Sequence, residues 1–419
     1  MTIPRTRIAI IGAGIGGLTL GLLLRQRGLV AAIYDQADEL GEVGAAVALA
    51  ANGTRVLRRL GLGEQLATYS VEPTKVLYRH WSTGHTIVEH EMGARYNERY
   101  GAEFFGIHRI HLQQVLATAW GDANLHLNSR LLELRERPDG STRLLFANGN
   151  SVDAELVIGA DGVHSVVRKW VLGDSCEAMY SETSGFRGLV PVDALPAMSD
   201  PMAFQLWLGP GGHFLHYPIS GDTLNFLAVA PGPVPWSNPT WRADEAAGTA
   251  LEVFKAWHPA VREMIAAVEQ SPRWALFSLP PLQRWSRGNV VLLGDAAHAM
   301  LPHEGQGANQ AIEDAAALSA FVAATDRSGV AQALGRYERL RRPRTRFIQH
   351  SSWVNSDVFH IPDGVQADQR NTRLQSLPSH LDWIHGYDVG RVISPDAVLP
   401  YSSPLHSNAD FSRRDAVAT

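Results

Sequence analysis

Three short glycine turns, the second and third with an aspartate, stand far apart in the chain, and together they have the residue types of a binding site for a phosphorylated sugar. The first is Gly12-Ala13-Gly14-Ile15-Gly16-Gly17 and the second is Gly159-Ala160-Asp161-Gly162. The third is Gly294-Asp295-Ala296-Ala297-His298, followed by a Pro- and Gly-rich loop over residues 302–307. Glycine lets the backbone turn tightly and bring its N–H groups against an anion, and a helix starting there adds unpaired amides of its own. A carboxylate such as Asp295 repels phosphate, so its natural partners are the hydroxyls of a sugar-like chain.

Each turn needs a strand before it and a helix after it. Residues 7–11 read as a strand, 18–27 as a helix and 30–34 as a second strand ending at Asp35. Strand, G-x-G-x-x-G, helix and acid in this order form the dinucleotide-binding fingerprint, with the acid on the adenosine ribose. That acid does not decide between FAD and NAD. The second turn follows a strand over 151–158 and has no evident need of Asp161 for packing. The third joins the apolar run 290–293 to an amphipathic helix starting near Ala308. Residues 44–51 are small and apolar, which lets backbone pass close to a flat ring or simply pack, and a helix begins at Asn52. A further helix over 110–119 starts after Arg109, which either reaches a pyrophosphate or stays a surface charge.

Residues 125–134, 142–147 and 151–158 read as strands, with Asn148-Gly149 as a hairpin turn, and 71–100 as a hairpin with a loop around Trp81-Ser82-Thr83-Gly84. In the middle of the chain, 202–208, 213–218 and 223–229 alternate like strands of an antiparallel sheet. Period-two spacing puts His213, Leu215 and Tyr217 on one face and Phe214 and His216 on the other.

At 419 residues the chain calls for two domains or one large composite. A formal net charge of -5 with no long basic run argues against a nucleic-acid or anionic-membrane surface. The densest basic cluster, Arg339, Arg341, Arg342, Arg344 and Arg346, reads as a solvated helix face. Cys176 is the single cysteine, which excludes an intramolecular disulfide and any cysteine-only metal site, and no metal is expected. It fits a reducing cytosol, and a cytoplasmic location is expected. Arg5 and Arg7 before the apolar run 8–24 imitate a signal peptide, but five glycines in that run have a better explanation in the fingerprint.

The three turns, in this order and at these separations, resemble those of the single-component FAD-dependent aromatic hydroxylases, the group of para-hydroxybenzoate, salicylate and 6-hydroxynicotinate hydroxylases. The resemblance covers most of residues 5–345, and Trp383-Ile384-His385-Gly386-Tyr387-Asp388 is similar to a C-terminal signature of the salicylate and 6-hydroxynicotinate branch. It implies an α/β fold: a Rossmann-like FAD-binding domain of the para-hydroxybenzoate hydroxylase type, an antiparallel-sheet substrate domain and C-terminal helices. The implied FAD domain is discontinuous, over 1–70, 101–178 and 276–345. The substrate domain takes 71–100 and 179–275, a helical segment 346–400, and 401–419 forms a disordered tail.

The same resemblance implies that Gly12, Gly14, Ile15, Gly16 and Gly17, with Asp35 and Gln36, hold the ADP half of FAD, and that Arg109 meets the pyrophosphate. Val47 and Leu131 are implied as further FAD contacts. Asp295 falls at the ribityl chain or pyrophosphate, and Gly305, Gly307, Ala308 and Asn309 along the isoalloxazine. Asp161 and Arg168 belong to a motif tied to both FAD and the nicotinamide cofactor. The family usually carries Glu where Asp35 stands. No second G-x-G-x-x-G is present, in keeping with NADH or NADPH as a transient co-substrate, and the choice between them is not encoded.

The implied activity is hydroxylation of a small aromatic ring, phenolic or hydroxy-heteroaromatic and possibly carboxylated, by O2 through a flavin hydroperoxide. Relatives place a histidine and a tyrosine at similar positions, which implies His213 as the base on the substrate hydroxyl and Tyr217 as its partner. Both also fit as packed sheet residues. His303, before the flavin loop, falls near the reacting ring or serves structure, whereas His298 reads as structural. Phe204 and Leu215 complete the expected substrate wall with Arg187, which meets a carboxylate or the flavin, or closes a strand-edge salt bridge. Competing readings are a larger non-benzenoid or alkene substrate, a non-catalytic flavin-binding module, and a plain dehydrogenase. A halogenase is disfavoured, since no Trp-x-Trp-x-Ile-Pro segment occurs. A small aromatic substrate, O2 and NAD(P)H are the expected partners, with the chain a monomer or homodimer.

Overall fold

In a computed structural model of the chain, residues 5–393 are described except 42–45, 174–175, 197 and 239. The first part of the small apolar stretch 44–51, the end of the C-terminal segment and the tail therefore lie outside the described residues.

Strand Arg5–Ile11 is the middle of a parallel sheet. It pairs with Ala31–Tyr34 on one side and Ser151–Gly159 on the other, and these pair in turn with Leu125–His126 and Val290–Leu292. Ile8, Ala9 and Ile10 are almost wholly buried, as a strand covered on both faces requires. The sequence region 125–134 is split: its first two residues join this sheet, while Leu131–Glu136 pairs antiparallel with Thr142–Phe146. The consequence for function is geometric. The three glycine turns follow the ends of Arg5–Ile11, Ser151–Gly159 and Val290–Leu292, three neighbouring parallel strands, so they meet at one edge of the sheet. The apolar run that imitates a signal peptide forms this central strand and helix Ile15–Gln26. No described helix is long and apolar enough to cross a membrane.

A second sheet has eight strands, in the order Arg242–Ala243, Arg273–Ser278, Met179–Pro191, Thr223–Pro231, Gly212–Pro218, Phe204–Gly209, Lys75–His80 and Thr86–Glu91. All its pairs are antiparallel except Phe204–Gly209 with Lys75–His80, which is parallel. The hairpin in 71–100 thus extends the middle sheet, and the region also holds a helix, Ala94–Tyr100, beyond the expected hairpin and loop. One face carries Phe186, Phe214 and Phe226 into a core shared with Phe254, Trp257 and Val261. The opposite face meets the loop after the third glycine turn through Leu301 and His303.

Helix Val330–Phe359 runs for 30 residues across the expected limit at 345 and packs on helix Gly307–Ala323. The arginine cluster on it is not one solvated face. Arg339 and Arg346 are exposed, but Arg341 and Arg344, one turn apart on the other side, are 0% and 2% exposed. Arg341 donates to both Glu313 and Asp314, and Arg344 grips Glu313. Both acids are fully buried. The cations are inside because two anions on the neighbouring helix pair with them.

The C-terminal signature is a strap around the same region. Arg344 donates to the carbonyls of Trp383 and Ile384, and Tyr96 Oη lies 2.9 Å from His385 Nδ1. Asp388 takes both prongs of Arg59, at 2.7 and 2.6 Å. Helix Ala51–Arg59, which starts beside the third glycine turn, is thereby fixed from outside.

Candidate active site

The first turn is built by steric exclusion. Gly12 has φ +110°, and a Cβ there would lie 2.3 Å from Ala160 O of the second turn. A Cβ on Gly17 would lie 2.0 Å from Gly12 O, and one on Gly16 would meet Leu293 Cδ2 at 2.6 Å and Ala311 Cβ at 3.2 Å. Gly16 therefore sets how closely helices Ile15–Gln26 and Gly307–Ala323 approach. Gly14 differs, since a Cβ on it would meet nothing within 4 Å. It is the N-cap of its helix and faces open space, and neither helix has a side-chain cap. Two helix N-termini with unpaired amides thus share one crevice, a fit for a pyrophosphate.

Asp35 lies at the end of its strand, as the fingerprint requires, but its short side chain folds onto the loop. Oδ2 accepts from Ala13 N at 2.6 Å and Oδ1 from Ala37 N at 2.8 Å. Gln36 beside it is exposed. Leu131 is buried in the core, leaving only its main chain for a ligand. Val47 sits half-buried in strand Ala46–Leu49, paired with Ile107. Gln113, which the sequence reading passed over, supports the loop by donating to Ala13 O at 3.0 Å.

Asp161 corrects the expectation that its turn has no structural use for it. Its carboxylate accepts from Ser165 Oγ at 2.5 Å and from the amides of Val166 and Val167 at 2.7 and 3.1 Å, capping helix Val166–Leu172. Burial pushes its pKa up, opposed by these hydrogen bonds. Arg168 is likewise internal, donating to the carbonyls of Val163 at 2.6 Å and Ala296 at 3.2 Å. It staples the second turn to the third. Asp295 behaves differently, for it is exposed at the start of helix Asp295–His298, and its Oδ1 is 4.0 Å from where a Cβ on Gly307 would lie. An open carboxylate between two helix starts is placed for hydroxyl donors.

The loop before the long helix is rigid by construction. Asn309 Oδ1 accepts from Ala50 N at 3.0 Å, and its Nδ2 donates to Ala48 O at 2.9 Å and Gly305 O at 3.0 Å. Its side chain is thus spent on joining the loop to strand Ala46–Leu49, which leaves only its backbone for a ligand. Gly305, at φ +63°, turns the chain, and Gly307 and Ala308 are half-buried at the helix start. On the outer side, Glu304 accepts from Ser351, from Asn355 at 2.9 Å and from His380 at 3.3 Å. His298 is structural as read, with Nε2 2.6 Å from Asp314 Oδ2 and 1% exposure.

Facing this loop is the inner side of the second sheet. The register Leu215 to Leu206, two residues from Phe204, with Leu227 between Leu215 and Arg187, puts Phe204, His213, Leu215, Tyr217 and Arg187 on one face, as period two predicts for the central three. Phe204 and Tyr217 stack at 5.0 Å and 16°. Leu215, Leu227, Val229, Leu276 and Leu301 form the apolar wall. His213 and His303 meet edge to face with centroids 5.0 Å apart. Both ring nitrogens of His303 are buried without a partner among the described residues. A polar group in that state fits a site that a ligand completes. Burial holds His303 down to about 3 and His213 well below its ordinary range, so both are neutral at pH 7.

Arg187 lies over the Trp274 ring at 6.0 Å, and its Nε has no partner among the described residues. Among the described residues it forms no salt bridge at a strand edge. Burial and the nearby Arg109 charge pull it down to about 10, while Tyr217 opposes the shift. Gly106, three residues before Arg109, packs closely on this sheet: a Cβ there would lie 2.0 Å from Pro218 O. A buried cation and two neutral imidazoles on one apolar face suit a flat ring with an acidic substituent. FAD, when bound, supplies the redox and oxygen chemistry.

Comparison with known proteins agrees with this geometry. The FAD binding domain family matches residues 5–351. The chain is 40% identical to 3-amino-4-hydroxybenzoate 2-monooxygenase of Streptomyces cremeus, over 93% of this chain and 97% of the relative. It is 31% identical to salicylate hydroxylase of Pseudomonas putida, over 91% and 93%. Among solved structures, Klebsiella pneumoniae HpxO complexed with FAD and uric acid superposes with a TM-score of 0.81 at 28% identity, covering 93% of this chain and 97% of that one.

Proposed function

Since the chain belongs to the FAD-dependent aromatic hydroxylases, we propose that it hydroxylates a small phenolic ring bearing a carboxylate, with 3-amino-4-hydroxybenzoate the first candidate. The observation that supports this choice is Arg187, a cation without a carboxylate partner among the described residues, beside Tyr217 and on the same sheet face as His213. In this reading the ring lies against Leu215 and Leu227 with its carboxylate toward Arg187. A charge-assisted hydrogen bond in such a place contributes about 1.5–3 kcal/mol. At the other end His213 takes the hydroxyl proton, which makes the ring electron-rich, and His303 lines the reacting end. Glycines 12, 14, 16 and 17, Ile15, Asp35 and Asp295 hold FAD, and the backbone of Gly305 to Asn309 runs along its ring system.

The test is NADH and NADPH oxidation by the FAD-loaded protein with 3-amino-4-hydroxybenzoate, salicylate, 6-hydroxynicotinate, 3-hydroxybenzoate and uric acid. Oxygen uptake, peroxide and product are followed together. Stimulation with hydroxylated product from a carboxylated ring is expected. Productive turnover of uric acid alone would overturn the carboxylate reading.

A further inference from the structure

The inner sheet face is closed by a residue from outside both domains as the sequence divides them. His360 caps the end of helix Val330–Phe359, and its Nε2 lies 2.9 Å from Nδ1 of His213. The two rings stack at 5.1 Å and 28°, with the Phe359 ring edge-on to His213 at 5.3 Å. Gly211 N donates to His360 O at 3.0 Å, which ties the helix end to the turn that starts the His213 strand. His213 is 2% exposed and His360 is half-buried, so the pair leads from the cavity toward the surface.

One nitrogen of that pair donates and the other accepts, which leaves Nε2 of His213 for the cavity. A proton taken there does not rest. The imidazolium of His213 is opposed by burial and then by the neighbouring His303 and His360 rings. Among the described residues the charged and titratable groups that bear on the pair are these three imidazoles, and no carboxylate does. His213 therefore needs an acceptor behind it, and the ring at 2.9 Å is His360.

We infer that His360 conducts the substrate hydroxyl proton from His213 to solvent. The inference rests on the reading of His213 as base. The substrate O–H proton passes to His213 Nε2, the Nδ1 proton of His213 passes to His360 Nε2, and the Nδ1 proton of His360 passes to water. Both rings end neutral with their tautomers exchanged, and the reverse transfer restores them when the product hydroxyl is reprotonated. His360 acts through His213 and is a positioning residue for the proton, not a substrate contact.

The test uses the FAD-loaded full chain and 3-amino-4-hydroxybenzoate as probe. Phenolate formation on binding is followed by stopped-flow absorbance from pH 6 to 9, in H2O and D2O. His360→Gln is expected to slow it at least about tenfold at an unchanged probe Kd, with a changed solvent isotope effect. In His360→Ala, added imidazole is expected to restore the rate. A wild-type rate and pH profile in His360→Gln, while His213→Gln is impaired, overturns the relay and leaves the base. An unimpaired His213→Gln overturns the base reading itself. Should Gln at 360 prevent FAD retention, imidazole rescue of the Ala variant decides: a slow rate that imidazole does not restore overturns the relay.

Discussion

Glu313 and Arg344 meet inside the protein as a two-pronged pair, Nε to Oε2 at 2.8 Å and Nη2 to Oε1 at 2.9 Å. Asn52 and Gln310 add hydrogen bonds to the same carboxylate at 2.6 and 3.1 Å. Burial works against this carboxylate, but Arg344 and Arg341 hold its pKa below the ordinary range. Glu313→Ala would leave two buried arginines without it. The expected loss is about 3–5 kcal/mol, read from urea unfolding of the FAD-loaded protein. A loss below about 1 kcal/mol would mean the network is hydrated rather than dry.

Gly12 and Gly14 separate folding from binding. Gly12→Ala puts a methyl against Ala160 O at an unfavourable φ and is expected to destabilise the apoprotein by at least about 1–3 kcal/mol. Gly14 has φ -73° and open space beyond it, so Gly14→Ala should leave the apoprotein Tm unchanged. Because the open space is where the pyrophosphate belongs, flavin titration should show FAD affinity lowered about tenfold or more. Unaltered FAD affinity in Gly14→Ala would place the cofactor elsewhere.

Arg187→Met keeps the packing on Trp274 and removes the charge. For a carboxylated ring KM should rise about 10- to 100-fold with kcat little changed, while the corresponding carboxamide should lose much less. Equal losses on both would assign Arg187 to packing.

Buried imidazoles set the acid limit of stability. Burial lowers His216 and His303 to about 3 and His360 to about 4, against 6.5 when unfolded. The unfolded chain therefore binds more protons than the folded one between those values and 6.5. Stability is complete above about pH 6.5 and falls as pH drops toward 4, each histidine contributing up to about 1.4 kcal/mol per pH unit. His216, whose nitrogens have no partner among the described residues, is the clearest case, on the outer face beside Phe214. Tm measured from pH 8 to 5 should fall at the acid end, and His216→Phe should flatten the slope. A Tm constant over that range would contradict the assigned burial.

Much of this arrangement is legible in the chain. Local rules govern the fingerprint and the alternation in 213–217, so strands, turns and the shared face of His213, Leu215 and Tyr217 follow from spacing alone. What spacing does not carry is which distant segment supplies a partner. Arg341 and Arg344 look like surface charges until Glu313 and Asp314 are seen on the adjoining helix. Asp161 has the look of a ligand residue until Ser165 and two amides are found around it. His360 stands 147 residues from His213 and in no motif, so nothing local marks it. The family resemblance points to a cofactor and is silent on these supports.

Helix Val330–Phe359 is a single beam about 45 Å long. Arg341 and Arg344 seat it against the helix behind the glycine loop, and His360 at its far end reaches the substrate sheet. Specificity in this chain is therefore not a transplantable module. A chimera that imports residues 179–275 from a relative acquires a new pocket lining but keeps the host's beam. Recombination that is to move substrate choice between homologues must carry the segment through 360 along with the sheet.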